Sequence, residues 1–258
     1  MFVKGFSTLF MAKLSDAAAW KDAITAISSI VDEASFNITP DGLNLREMDP
    51  SHVAMVEFEW PKSVFDEYVC NEAMKLCVNI REMLRLLRRV RKGGTLELTL
   101  AEGKNRLNMR LSDGYLKTFS VPTLEPLSEE VPTPNVTFDV KARVTTSFLR
   151  DAVDDASTVS DNIRLEMTKE KLIMRAEGSL GSVSIELEEG SESTLGFEVK
   201  KEAKATFSLS YLNDIIKSAS QSSSVATVEF STDMPIKLNF ELPNKGKLLY
   251  YLAPRIEG

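Results

Sequence analysis

The chain repeats itself. Displaced by 129 positions, half of its 258 residues, Trp20-Lys21-Asp22-Ala23-Ile24 lies on Leu149-Arg150-Asp151-Ala152-Val153. At the same offset Ile38-Thr39, Leu43, Leu45 and Arg46 fall on Met167-Thr168, Leu172, Met174 and Arg175, and Leu107, Met109 and Leu111 fall on Ile236, Leu238 and Phe240. Self-similarity at a fixed offset marks a supersecondary unit used more than once, so any fold for this chain must be built twice from one plan.

Periodicity gives the plan. Period-two alternation predicts an opening strand in each copy (9–13 and 136–144), a hairpin at 35–60 and 163–188, and closing strands in TLELTL with RLNMRL and in ATVEF with IKLNFEL. Helices are predicted over about 15–31, 79–91, 146–159 and 209–220. Each carries an apolar stripe at x, x+3, x+4 and x+7: Trp20, Ala23, Ile24, Ile27; Met83, Leu86, Leu87, Val90; Leu149, Ala152, Val153, Ala156; and Leu212, Ile215, Ile216, Ala219. One stripe per helix gives each helix one face for a sheet, so the expected class is α+β, with helices on one side of curved antiparallel sheets. Between the copies runs SVPTLEPLSEEVPTPN, 120–135, whose four prolines remove backbone donors and favour an extended connector. The expected division is 1–119, connector 120–135, and 136–258.

Charge is distributed unevenly. The formal net charge is −7, yet NIREMLRLLRRVRK, 79–92, holds six basic side chains and one acid. Asn79 is placed to cap this helix, with Glu82 three residues on as in a capping box, and Gly93-Gly94 to stop it. Arg81, Arg85, Arg88, Arg89 and Lys92 fall away from the stripe, with too few acids on the helix to pair them all. That imbalance favours an anionic partner. Lys21 and Arg150 at x+1, and Arg88 and Lys217 at x+5, place a positive charge on every helix away from its stripe.

Catalytic chemistry finds no foothold. A single histidine, His52, excludes multi-histidine metal sites, and no Gly-rich phosphate loop is present. Glu188-Glu189 sits in EEGSES, and Asp41-Gly42 and Asp113-Gly114 read as turns. No catalytic residue, metal or cofactor is therefore expected. Cys70 and Cys77 read as free thiols, too few for a disulfide framework. The N-terminus has no leader-like apolar run, and no segment approaches the roughly 18 apolar residues of a membrane span. The expectation is a soluble protein of the cytoplasm, nucleoid or nucleus, neither secreted nor membrane-bound.

Three segments, DGLNLREMDPSHVAM (41–55), KSASQSSSVATVEFSTDMPIKLNF (217–240) and the ending LLYYLAPRIEG, resemble the DNA sliding clamps of the proliferating cell nuclear antigen family. The resemblance runs from about residue 9 to 256, behind an N-terminal extension of about eight residues; Ser28 and Ser210 stand where many relatives carry a basic side chain.

The resemblance implies a two-repeat clamp fold in which three subunits, identical or different, close head to tail into a ring. Sheets lie outside and four helices line a hole for duplex DNA. It implies that Lys21, Arg81, Arg85, Arg88, Arg89, Lys92, Arg150 and Lys217 meet phosphates without reading bases. It implies a hydrophobic pocket for partner peptides at Met48, His52, Val53, Met55, Leu127, Val131, Pro235, Ala253, Pro254 and Ile256. Polymerase, clamp loader, flap endonuclease and ligase are the partner types, in replication and repair. The edge near 115–121, with Tyr115, Lys117 and Phe119, is expected to pair with Ser182, Val183 and Ile185 of the next subunit. The competing reading is a monomeric, non-specific nucleic-acid binder that uses the basic helix 79–92 directly.

Overall fold

A computed structural model describes residues 8–90, 92–101, 103, 105–125, 131–132 and 134–256. The first copy contains β1 (Thr8–Leu14), α1 (Ala17–Ile27), β2 (Glu33–Thr39), β3 (Gly42–Met48), β4 (Ala54–Pro61), β5 (Glu67–Cys70), β6 (Met74–Asn79), α2 (Ile80–Leu87), β7 (Thr95–Ala101), β8 (Arg106–Ser112) and β9 (Leu116–Pro122). The second contains β10 (Val140–Thr145), α3 (Thr146–Ser157), β11 (Asn162–Met167), β12 (Lys171–Gly178), β13 (Gly181–Glu188), β14 (Thr194–Val199), β15 (Ala203–Ser208), α4 (Leu209–Ala219), β16 (Val225–Phe230), β17 (Ile236–Glu241) and β18 (Lys247–Leu252). The two copies share one element order.

The strand orders repeat as well. Neighbours β5-β1-β7-β8-β9 in the first copy correspond to β14-β10-β16-β17-β18 in the second, and β6-β2-β3-β4 correspond to β15-β11-β12-β13. The described strand pairs are antiparallel. By packing, one unit comprises Met1–Glu47, Glu57–Glu130 and Pro243–Gly246, and the other Met48–Val56, Val131–Leu242 and Lys247–Gly258.

The core follows the stripes in three helices of four. Every stripe residue of α1, α3 and α4 is buried, and burying one large aliphatic side chain stabilises by roughly 1.5–3 kcal/mol. The stripe of α2 lies one turn earlier than expected. Ile80, Met83 and Leu87 are buried, whereas Leu86 and Val90 are only half-buried.

Several boundaries differ from the sequence expectation. Helix α1 stops at Ile27 because Ser28 Oγ and Ser29 Oγ donate 2.7 Å hydrogen bonds to the carbonyls of Thr25 and Ala26, taking acceptors a longer helix needs. The expected hairpins at 35–60 and 163–188 are three-strand meanders, β2-β3-β4 and β11-β12-β13. The strand expected from 136 begins at Val140, the residue with which the ladders to β14 and β16 begin. At the other end of the first copy β9 continues to Pro122, into the stretch expected to be connector, and Leu124 N donates to Cys77 O at 2.9 Å.

The Asp41-Gly42 turn between β2 and β3 requires its glycine. Gly42 has φ +148°, and a Cβ there would collide with the Trp60 carbonyl oxygen. No helix among the described residues is long and apolar enough to cross a membrane.

Candidate nucleic-acid, partner and subunit interfaces

The basic segment is a short helix followed by a basic turn, where a single helix over 79–91 was expected. Asn79 caps it as expected, its side chain accepting from Glu82 N at 2.9 Å. The helix ends at Leu87, and Arg88 is its C-cap. Extending it would add one hydrogen bond per residue while crowding like charges at Arg88, Arg89 and Lys92, with no further buried side chain to hold the added turn. Arg81 pairs with Asp32. Arg85, Arg88, Arg89 and Lys92 are exposed and form no ion pair with any described residue.

The other three cations assigned to DNA are dispersed. Lys21 is half-buried on α1, Arg150 lies 3.5 Å from Asp151 on α3, and Lys217 is exposed in the last turn of α4. Next to Lys21, burial pushes the Asp22 carboxyl up, against the opposing pull of Lys21 and Lys92.

Arg88 and Arg89 have a second neighbourhood. With Val90 they line a groove of about 540 Å³ whose other wall is Asp113, Tyr115 and Lys117. Lys117 Nζ binds Asp113 Oδ1 at 2.9 Å and stands 4.4 Å from the centroid of the Tyr115 ring, which is 66% exposed. Tyr115 precedes the strand, so Lys117 and Phe119 are the two assigned residues on β9 itself.

Both strands expected at the subunit joint end their sheets. β9 lies beyond β8 and β13 beyond β12, each the last strand in its order. On β13 Ser182 is exposed while Val183 and Ile185 are half-buried, and Phe119 on β9 is half-buried too. Each edge thus carries part-covered apolar side chains beside a row of backbone groups without a ladder partner among the described strands.

The partner segment is organised around Asp49, which sequence reasoning did not single out. Asp49 is 4% exposed. Its Oδ1 accepts from Val53 N and Ala54 N, both at 2.7 Å, and its Oδ2 from Ser51 N at 3.0 Å and from the Tyr211 hydroxyl at 2.9 Å. Burial by itself would push this carboxyl up, yet the hydrogen bonds from Ala54, Tyr211, Val53 and Ser51 outweigh it and hold the group below the usual aspartate range. The cage shapes a turn in which His52 takes φ 56°, a left-handed conformation uncommon outside glycine. His52 Nδ1 then lies 3.2 Å from Met48 Sδ.

That turn meets the chain's last strand. Ala253 N donates to Val53 O at 2.9 Å, and Leu252 pairs with Ile236, which follows Pro235. Met48, His52, Val53, Pro235, Ala253 and Pro254 therefore gather on three adjoining segments. Met55 does not join them: at 2% exposure it is a core side chain, because Ala54, Met55 and Val56 are all buried at the start of β4. Ile256 is 88% exposed and lines a different groove, with Arg255. Val131 is half-buried, and Leu127 lies outside the described residues. The Asp-Pro-Ser sequence at 49–51 carried the turn signal that leads to Asp49. Tyr211, 162 positions away, carried none.

Two copies of one strand and helix order, each with two runs of antiparallel strands and two helices, define the DNA-clamp fold. The sequence pattern described as proliferating cell nuclear antigen, N-terminal domain, matches residues 9–122, and that of the C-terminal domain matches 132–255. The chain belongs to the proliferating cell nuclear antigen family. It is 38% identical over 242 residues to DNA polymerase sliding clamp 1 of Pyrobaculum aerophilum, covering 94% of this chain and 96% of that one. It is 34% identical over 241 residues to the DNA polymerase sliding clamp of Pyrococcus furiosus, covering 93% and 96%. The crystal structure of PCNA from Thermococcus kodakaraensis superposes with a TM-score of 0.90 at 28% identity, over 95% of this chain and all of that one. The protein is a sliding clamp, a processivity factor and not an enzyme.

Proposed function

We propose that three such subunits close into a ring around duplex DNA and tether a DNA polymerase to it. The observation that carries this reading is the pair of sheet-ending strands, β9 and β13, in a chain whose halves both match clamp domains. A strand that ends a sheet in one copy of a molecule and a second, different one in the next copy make a heterologous contact, which closes into a ring when the rotation permits. Tyr115, Lys117 and Phe119 would meet Ser182, Val183 and Ile185 of the neighbour, with 1–119 and 136–258 as the two clamp domains joined by 120–135.

Arg85, Arg88, Arg89, Lys92 and Lys217, with Lys21, Arg81 and Arg150 in lesser part because they are half-buried or already paired, would face phosphates. Such contacts position without specifying sequence, which suits a protein that slides. Partner enzymes would dock an apolar anchor against Met48, His52, Val53, Val131, Pro235, Ala253 and Pro254, and flap endonuclease, ligase and clamp loader types fit that reading. The monomeric binder is the weaker reading, because the helix it would use is only eight residues long, with Arg81 already paired.

Native mass spectrometry tests the assembly. A species three times the 28.7 kDa subunit mass, formed alone or on mixing with related subunits, is expected. A monomer that no related subunit converts to a ring overturns the reading.

A further inference from the structure

The exposed face of the sheet β13-β12-β11-β15 carries a groove of about 870 Å³; Ser182 and Val183 at its β13 wall belong to the proposed subunit joint, and the rest of its lining has no part in that joint. Its floor is set by register. Arg164 on β11 stands opposite Arg175 on β12 and Thr206 on β15, and Arg175 opposite Ser184 on β13, so these side chains share one sheet face. Beyond β15 the last described residues continue the surface: Arg255 N donates to Thr206 O at 2.7 Å, and Arg255 and Ile256 line the groove.

In a chain of net charge −7 this groove keeps a cationic excess, with Arg164, Arg175 and Arg255 against Glu166 and Glu177. One carboxylate, Glu166, serves two guanidiniums, Arg164 at 3.0 Å and Arg175 at 3.9 Å. Arg255 is exposed and forms no ion pair with a described residue. Between the charges the walls are hydroxyl-bearing, with Ser184 able to bond an extended backbone. From β13 to the Arg255 segment is four strand spacings, about 19 Å, the reach of about six residues of extended chain. Guanidiniums in a shallow, hydroxyl-lined trough match carboxylates in bidentate geometry, and the trough's length suits a peptide better than a single ion.

We propose that this groove binds an extended, acidic peptide segment of a partner protein, with carboxylates paired to Arg175 and Arg255 and steered there from solution. The proposal rests on the partner-site reading in one respect. Arg255 directly follows Ala253-Pro254 of the candidate pocket, so the acidic segment would adjoin an anchor held there. It would add affinity and select among anchors by their flanks.

Three synthetic probes separate the two ideas: an apolar anchor peptide, a six-residue Asp/Glu-rich peptide, and the two joined. Amide shifts of the intact protein, with affinities measured at low and high salt, give the readout. The acidic peptide alone is expected to move the amides of Arg175, Ser184 and Thr206, and joining it is expected to tighten the anchor about tenfold at low salt, a gain that shrinks as salt screens it. Arg175→Ser with Arg255→Ser, both exposed positions, should abolish the shifts and the gain while leaving the melting temperature and the anchor's own affinity unchanged. An anchor peptide that fails to bind while the acidic one still moves these amides sinks the pocket and leaves the groove standing. Overturning results are an acidic peptide that leaves the three amides unmoved, a shift that survives the double substitution, or the same amides responding to duplex DNA and not to the peptide.

Discussion

The Tyr211 hydroxyl of α4 donates to Asp49 Oδ2 at 2.9 Å, tying the turn that carries His52 and Val53 to a helix 162 residues away in sequence. A hydrogen bond to a charged acceptor contributes about 1.5–3 kcal/mol, toward the lower end where one partner is half exposed, as Tyr211 is. Tyr211→Phe should therefore lower stability by about 1–2 kcal/mol by denaturant titration. It should also weaken an anchor peptide several-fold by calorimetry, with the oligomer mass unchanged. Equal peptide affinity in parent and variant would show that the turn holds its shape without α4.

Acid should loosen the same turn. The Asp49 carboxyl is held below its ordinary value, so the unfolded chain binds its proton more readily than the folded one. The stabilisation is complete above about pH 5, fades below the unfolded value of about 3.9, and is lost as pH falls through the folded value. Hydrogen exchange at the Val53 and Ala54 amides, both bonded to Asp49, should accelerate across that window beyond the ordinary pH dependence of exchange. Asp49→Asn should remove the extra acceleration. Persistence of it in the variant would place the titrating group elsewhere.

The repeat made the architecture legible, because its apolar stripes and alternations state the same plan twice; every stripe residue in α1, α3 and α4 is buried. The stripe failed in α2, where Leu86 and Val90 satisfy the spacing but the buried line is Ile80, Met83 and Leu87 and the helix ends before Val90. Local periodicity does not register that crowded arginines end a helix early. Met55 misled in the opposite sense, because a methionine suits an adaptable groove and a core equally and only burial separates them. The Asp49 cage was half legible. Its turn chemistry is local, while Tyr211 is brought to it by tertiary structure alone.

Charge reversal addresses the nucleic-acid face. Arg85→Glu with Arg88→Glu removes two exposed cations that form no ion pair with any described residue. If each meets one phosphate, the salt dependence of log K for duplex DNA should flatten by about 0.9 per lost contact, roughly 1.8 in all, whatever the base sequence. An unchanged slope would remove these residues from the DNA surface.

A charge on the β13 edge should open the ring. Val183→Asp places an acid on a half-buried position of the proposed joint without entering either unit's core. The variant should run at subunit mass by native mass spectrometry and melt within a few degrees of the parent. A full-sized oligomer from this variant would move the joint away from β13.

Topology is the sharpest test of a clamp. The protein is loaded by its clamp loader on a nicked circular plasmid, washed at high salt, and the plasmid is then cut once by a restriction enzyme while bound protein is followed by gel filtration. Retention on the closed circle through the wash and loss within minutes of linearisation are expected, because the ring slides off a free end. Equal retention on circular and linear DNA would contradict encirclement and return the basic turn after α2 to the role of an ordinary binding surface.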